Sequence, residues 1–342
     1  MKHGRRGVWL VVVVALSLVL AACTTPPIQV PGAARAKEWT YANTGIPAWW
    51  WYTLLDLKTV HMRAKGTGKS IAIVDTGVLP GQQDIATILP GVATCGSDAN
   101  DIADRNGHGT QLAGIALGKD PGPDFLSIDP LPVITRGVAP AASLVPIRID
   151  CGLVTTDALV NGVKAAIGKK PDIILIALGG YPPDVDASLS ALVSKSGKDI
   201  LFVVASVWDG YNYPFPGWTR PDPAKGKVDN VLIVAAMTLI GQDEVPYNDR
   251  QVGDIWAPGR DIETAGLDTI PKPDPKAPSV QAQFLMQGTS AASAIVAGCA
   301  ALVKQKAGYA GAGLKAILVK TTTTKPGLGS IGRLDCSTPV PP

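Results

Sequence analysis

A mostly parallel α/β sheet is the fold this sequence predicts, and three observations carry it. Short apolar runs alternate with helix-like segments through most of the chain. Those runs are close to continuously apolar, as strands covered by helices on both faces have to be. No internal repeat points to a solenoid or propeller. Strands are expected at residues 70–75, 144–149, 172–178, 200–205 and 231–236, and helices at 108–117, 156–168, 187–196 and 290–306. The first strand is the β-rich run Ile71-Ala72-Ile73-Val74. The first helix opens after glycines at Gly107 and Gly109, and the last opens after the turn Gly288-Thr289 with small residues from Ser290 onward. Strands alternating with helices favour one parallel sheet over a pair of β-barrels.

The N-terminus reads as a processing segment. Lys2, Arg5 and Arg6 precede an apolar run over residues 8–20, too short to span a bilayer comfortably. Leu20-Ala21-Ala22-Cys23 follows and resembles a bacterial lipobox. The resemblance implies cleavage before Cys23 and lipid on its sulfur and amine, hence a lipoprotein of the cell membrane or outer membrane. An ordinary signal peptide cut after small residues, or an uncleaved anchor, is the competing reading. Residues 24–46 are Pro/Ala/Thr-rich and read, with lipidated Cys23, as a tether. Residues 47–64 form an aromatic arm (Pro47-Ala48-Trp49-Trp50-Trp51-Tyr52) expected to pack on the domain body. The main domain is expected over 65–336, with a Pro-rich tail at 337–342.

Charge and cysteines narrow the partners. The full chain has 31 Lys+Arg against 28 Asp+Glu, and losing Lys2, Arg5 and Arg6 leaves 28 against 28. Neutral balance without a basic run argues against nucleic acid. Through the lipid a membrane is an expected partner; the chain is read as a monomer. Four cysteines remain in an oxidising compartment: Cys95, Cys151, Cys299 and Cys336. Their spacing fits no Cys-x-x-Cys metal site. Of three possible pairings, Cys95–Cys151 with Cys299–Cys336 is preferred, because the second pair would staple the tail to a late helix. Buried free thiols are the alternative.

The chemistry turns on "GTGKSIAIVDTGV", residues 66–78. A phosphate-binding loop needs glycine where Arg63 stands, and it follows a strand instead of preceding one. An aspartic-protease half-site needs a second Asp-Thr-Gly to share a proton, and the nearest match is Asp268-Thr269-Ile270. The remaining reading makes Asp75 the acid of a serine-hydrolase triad. The chain has three histidines, of which His3 leaves with the signal. His61, in "KTVHMRAKG", reads as a surface residue. His108, in "DRNGHGTQLAG", lies between glycines that let the backbone bring an imidazole close to other groups. Ser290, in "FLMQGTSAASAIVAGCAALV", stands at a helix start, where amides and dipole favour an oxyanion. The bland reading of Ser290 is an N-cap serine.

The order Asp75…His108…Ser290 is that of subtilisin. With "VDTG", "NGHGT" and "GTSAAS", the chain resembles the subtilisin-like serine peptidases (subtilases) over residues 65–335. Segments 137–149 (GVAPAASLVPIRI), 176–180 (IALGG), 256–262 (WAPGRDI) and 331–335 (IGRLD) are similar to further family segments, with Ala177 in place of a serine. The resemblance implies a three-layer α/β/α fold and a serine endopeptidase. Ser290 would be the nucleophile, His108 the base and Asp75 the group that orients the imidazole. It places extended substrate beside Leu178, Gly179 and Gly180 and near Gly152, and it implies no required cofactor. Activity is expected to fall as pH drops through about 6.5.

The sequence also departs from the family. Val204-Ala205-Ser206-Val207-Trp208 puts Trp208 where the second oxyanion donor, an asparagine, belongs. Trp208 through its indole N–H, or Asn212 from the next turn, is a candidate replacement; a protonated Asp209 is a weaker one. In subtilisin, losing that donor costs about 10²–10³ in turnover. Only about forty residues lie between Cys23 and the catalytic domain, so no folded inhibitory pro-domain is expected. "SAASA" (290–294) lacks the family's proline after the nucleophile. Gln82-Gln83-Asp84-Ile85 falls where relatives carry a calcium-binding aspartate, which makes Asp84 a possible ligand and a solvated carboxylate the alternative. Altogether the sequence supports an extracytoplasmic serine endopeptidase with an atypical oxyanion hole. The alternative is a weak or inactive subtilase-fold peptide-binding or scaffold lipoprotein.

Overall fold

The computed structural model describes residues 50–79, 84–119, 136–178, 183–196, 199–206, 229–240, 243–247, 253–267 and 281–340. Strand β1 (Ser70–Asp75) lies inside the main sheet, parallel to β4 (Ser143–Arg148) on one side and β5 (Ile173–Ile176) on the other. β6 (Leu201–Ala205) and β7 (Val231–Ile240) continue the sheet in parallel. The short β2 (Thr87–Ile88) and β3 (Val92–Ala93) pair with β4, and β9 (Ile255–Pro258) pairs in parallel with β7. Only β8 (Asp243–Pro246), turning back on β7, is antiparallel within the described part of this sheet. The expected mostly parallel sheet is therefore present.

Period-two alternation along each strand separates two helical layers. Ile71, Ile73, Ile173, Leu175, Leu201 and Val203 face a core shared with α3 (His108–Leu117) and α6 (Thr289–Ala307). Ala72, Val74, Ile174, Ile176, Phe202 and Val204 face α4 (Thr156–Gly168) and α5 (Pro183–Lys195) through Leu159, Val163, Leu189 and Val193. Every residue of α6 over 289–303 is buried. A helix buried all round has to be apolar all round, and its small residues permit close approach. A Cβ added to Gly298 would lie 2.5 Å from Val138 Cβ.

Several elements depart from the sequence expectation. β4 and β5 shift or shorten at their ends, β7 runs on to Ile240, and α5 begins at Pro183. An antiparallel pair, β10 (Ile262–Leu267) with β11 (Gln281–Met286), and α7 (Gly311–Lys320) have no counterpart in it. The aromatic arm packs on the body as expected, through α1 (Trp50–Leu54) and α2 (Leu57–Arg63), with Trp50 and Trp51 buried in the core. His61 corrects a reading: it is buried at 7% exposure, with Nε2 2.9 Å from the Val138 carbonyl oxygen and Nδ1 3.3 Å from the Tyr52 hydroxyl. The polar context of "KTVHMRAKG" hid that α2 turns this side chain inward. In the tail, Val340 is likewise buried. Disulfides join Cys95 to Cys151 and Cys299 to Cys336, the preferred pairing, with Cα–Cα distances of 5.8 and 5.6 Å. Loops of 56 and 37 residues imply a chain-entropy stabilisation of about 4 kcal/mol each.

Candidate active site

Asp75 ends β1 at the carboxyl edge of the parallel sheet, fully buried. Its Oδ1 accepts from the Thr76 N–H at 2.8 Å and faces His108 Nδ1 at 2.8 Å. The glycines of both motifs make that meeting possible. Gly77 has φ 111°, and a Cβ there would lie 2.4 Å from the Ile102 carbonyl oxygen. A Cβ on Gly109 would lie 2.3 Å from the Gly77 carbonyl oxygen. The Asp-Thr-Gly and Gly-His-Gly segments thus press backbone to backbone, fastened by the Gly109 N–H donating to Thr76 Oγ1 at 2.8 Å.

His108 is the first residue of α3, behind the N-cap Gly107 at φ 104°, and is 3% exposed. With Asp75 accepting from Nδ1–H, Nε2 is left as the basic nitrogen. Burial is the strongest single influence on the imidazole and opposes its protonation. The charge and hydrogen bond of Asp75, with the charge of Asp104, together outweigh it and hold the His108 pKa above 6.5.

Ser290 is the second residue of α6, so the N-cap reading fails: the cap is Gly288, with φ 97° and ψ −174°. Ser290 is 7% exposed, and its Oγ donates to the Ala177 carbonyl oxygen at 3.1 Å, just beyond β5. Thr289 Oγ1 donates to the Ser206 carbonyl oxygen at 2.7 Å, tying the helix start to the end of β6. The Gly288 N–H donates to the Gly259 carbonyl oxygen at 2.6 Å, and a Cβ on Gly259 would lie 2.7 Å from the Gly288 carbonyl oxygen. The Ala-Pro-Gly segment is therefore the floor under the Ser290 turn.

The remaining site candidates divide. Leu178 follows Ala177, whose carbonyl Ser290 contacts, but is half-buried against the core facing α4 and α5. Gly152 lies in an exposed turn with φ 103°, its N–H donating to Asp150 Oδ1 at 2.8 Å, and is pinned by the adjoining Cys95–Cys151 disulfide. Gly179, Gly180, Trp208, Asp209 and Asn212 lie outside the described residues. Asp84 is buried, and its carbonyl oxygen accepts from the Lys119 N–H at 2.6 Å. Among the described residues no cluster of three or more His, Cys, Asp or Glu is placed to hold a metal ion.

Two residues here were given no role from the sequence. Arg148 stands beside Asp75 in the β4–β1 register. It donates from Nε to the Asp150 carbonyl oxygen at 2.8 Å and from Nη1 to Asp101 Oδ2 at 2.7 Å, linking the Gly152 turn to the loop before His108. Asp104 accepts four hydrogen bonds around the His108 turn. The signal for Asp104 was its place four residues before the histidine in "DRNGH".

The comparisons with known proteins agree with this architecture. The subtilase family profile matches residues 66–333. The intracellular serine protease of Paenibacillus polymyxa is 30% identical over 262 residues, spanning 74% of this chain and 72% of that protein. The major intracellular serine protease of Bacillus subtilis (strain 168) is 28% identical over 260 residues, spanning 72% and 73%. Among solved structures, fervidolysin from Fervidobacterium pennivorans, a keratinolytic enzyme related to subtilisin, superposes with a TM-score of 0.66 at 19% identity. That match covers 92% of this chain and 48% of fervidolysin, so this chain spans about half the length of that relative. The chain belongs to the subtilase family of subtilisin-like serine peptidases.

Proposed function

We propose that this subtilase hydrolyses extracytoplasmic polypeptides with Ser290 as nucleophile, His108 as general base and acid, and Asp75 as the group that fixes the imidazole. The observation that carries this reading is the 2.8 Å contact between His108 Nδ1 and Asp75 Oδ1, both groups buried. In the first step the Ser290 hydroxyl leaves the Ala177 carbonyl, gives its proton to His108 Nε2 and bonds to the scissile carbonyl carbon. The displaced π electrons collect on the carbonyl oxygen, which the Ser290 N–H stabilises from the positive end of α6. Collapse expels the amine, which takes the proton from His108, and water repeats the sequence on the acyl-enzyme. Substrate lies extended along 178–180 and the Gly152 turn. Trp208 or Asn212 supplies the second oxyanion donor. Residues 1–22 direct export, Cys23 carries lipid, and 24–46 tether the domain to the membrane. Calcium at Asp84 is not needed for any of these steps.

Trp208 in the oxyanion segment favours a second reading, a subtilase fold that binds peptides and turns them over weakly or not at all. Labelling with a fluorophosphonate decides between them, because the probe needs an activated serine and no peptide specificity. Wild type should label stoichiometrically, Ser290→Ala should not label because it lacks the hydroxyl that bonds to the probe, and His108→Ala should lose about 10⁶-fold in rate. Labelling that persists without His108 would sink the triad; an unlabelled wild type would support the peptide-binding reading.

A further inference from the structure

We infer that Asp104 is a positioning residue for the acid–base step, fixing the turn that presents His108. The inference rests on the reading of His108 as the base. Asp104 is 5% exposed, and its carboxylate is saturated with donors. Oδ1 accepts from the Asn106 N–H at 2.9 Å and the Gly107 N–H at 2.8 Å. Oδ2 accepts from the Thr110 N–H at 2.9 Å and from Thr110 Oγ1 at 2.6 Å. These donors bracket the histidine on both sides, so one carboxylate clasps the approach to α3 and its first turn together. The amides of a first helical turn have no partner within their own helix; Asp104 supplies partners that a plain Gly107 cap does not.

The clasp has an electrostatic consequence as well. All four donors are uncharged groups, so the negative charge of Asp104 stays available to the imidazole. Asp75 from β1 and Asp104 from the preceding loop are the charges acting on His108, against the opposing effect of burial. On β10, which packs against α3, burial pushes the Glu263 pKa up to about 8 despite the opposing charge of Arg136, so near neutral pH it is largely uncharged. A neutral side chain at 104 therefore lowers the proton affinity of His108 in addition to loosening the turn, whereas a merely structural residue would do only the latter. An asparagine keeps the shape but presents N–H₂ to one pair of donors, so it holds at most one side of the clasp.

The test compares Asp104→Asn with Thr110→Val in the full mature domain. The readouts are the NMR titration of the His108 imidazole, assigned with the help of His61→Gln, and kcat and KM across pH. Asp104→Asn should lower the His108 midpoint by roughly half a pH unit or more. It should also reduce kcat about tenfold, with KM within about twofold because the turn does not line the proposed substrate strands. Thr110→Val breaks a single bond of the clasp, together with the Leu79 N–H bond to Thr110 Oγ1 at 3.0 Å, and should leave the midpoint in place. A wild-type midpoint in Asp104→Asn overturns the inference, as would identical behaviour of the two variants. Should Asp104→Asn not fold, Asp104→Glu keeps the charge and displaces it by one methylene; kcat must then fall with the midpoint near wild type, and an unchanged kcat overturns the inference. A wild type that neither hydrolyses nor labels refutes the reading of the site, and the His108 midpoint still decides what Asp104 does.

Discussion

His108 is held by carboxylates and Ser290 by helix packing, although the two belong to one proposed reaction. At the histidine, Asp75 and Asp104 accept hydrogen bonds from the imidazole, from backbone amides and from a threonine hydroxyl, all under cover from solvent. At the serine, the hydrogen bonds run to carbonyls of Ala177, Ser206 and Gly259, and the helix behind is buried over 289–303 and rich in Ala. The first half should be sensitive to a change of charge with shape held constant. The second should be sensitive to backbone conformation and volume with charge held constant. A base that must gain and lose a proton needs fixed charges aimed at it, whereas a nucleophile needs mainly a fixed origin at the positive end of a helix.

The largest expected effect that sharpens this contrast comes from Asp75→Asn, which keeps the shape but removes the charge and turns one acceptor oxygen into an N–H₂ donor. It should cost about 10⁴-fold in kcat by releasing the imidazole from its working tautomer, read by steady-state kinetics. A loss below about tenfold would show that Asp75 does not orient the base. Gly288→Ala probes the other half. At φ 97° and ψ −174° the backbone is in a region that only glycine occupies readily, and an added Cβ would find nothing within 4 Å. The whole effect is therefore backbone strain, about 1–3 kcal/mol of stability, visible as a lower Tm, with kcat falling while the acid limb of the pH profile stays put. A shift of that limb in Gly288→Ala would mean that the two halves are not separable in this way.

Much of this was legible in the sequence because the relevant patterns are local. Apolar continuity located β1, β5 and β6, and the paired glycines flagged the places where two backbones touch. What escaped was set by distant partners. His61 carries a polar neighbourhood in sequence, yet α2 presses it onto Val138, seventy-seven residues away. β10 and β11 pair across the Pro- and Asp-rich stretch between them, where no local periodicity announces a sheet. Asp104 and Arg148 are ordinary charged residues until folding encloses them with Thr110 and Asp101. The second oxyanion donor was not legible for a different reason: the sequence puts Trp208 where the resemblance expects an asparagine, and Trp208 and Asn212, the candidate substitutes, both lie outside the described residues.

The central claim is that His108, made more basic by neighbouring carboxylates, takes the proton from Ser290. The most direct test is the second-order rate of fluorophosphonate labelling as a function of pH. Protonated imidazole cannot accept that proton, and its pKa lies above 6.5. The rate should therefore fall as pH drops through a midpoint above 6.5, and His108→Ala should show no such limb. A rate that is flat from about pH 5 to 8, or a limb that survives in His108→Ala, would contradict it.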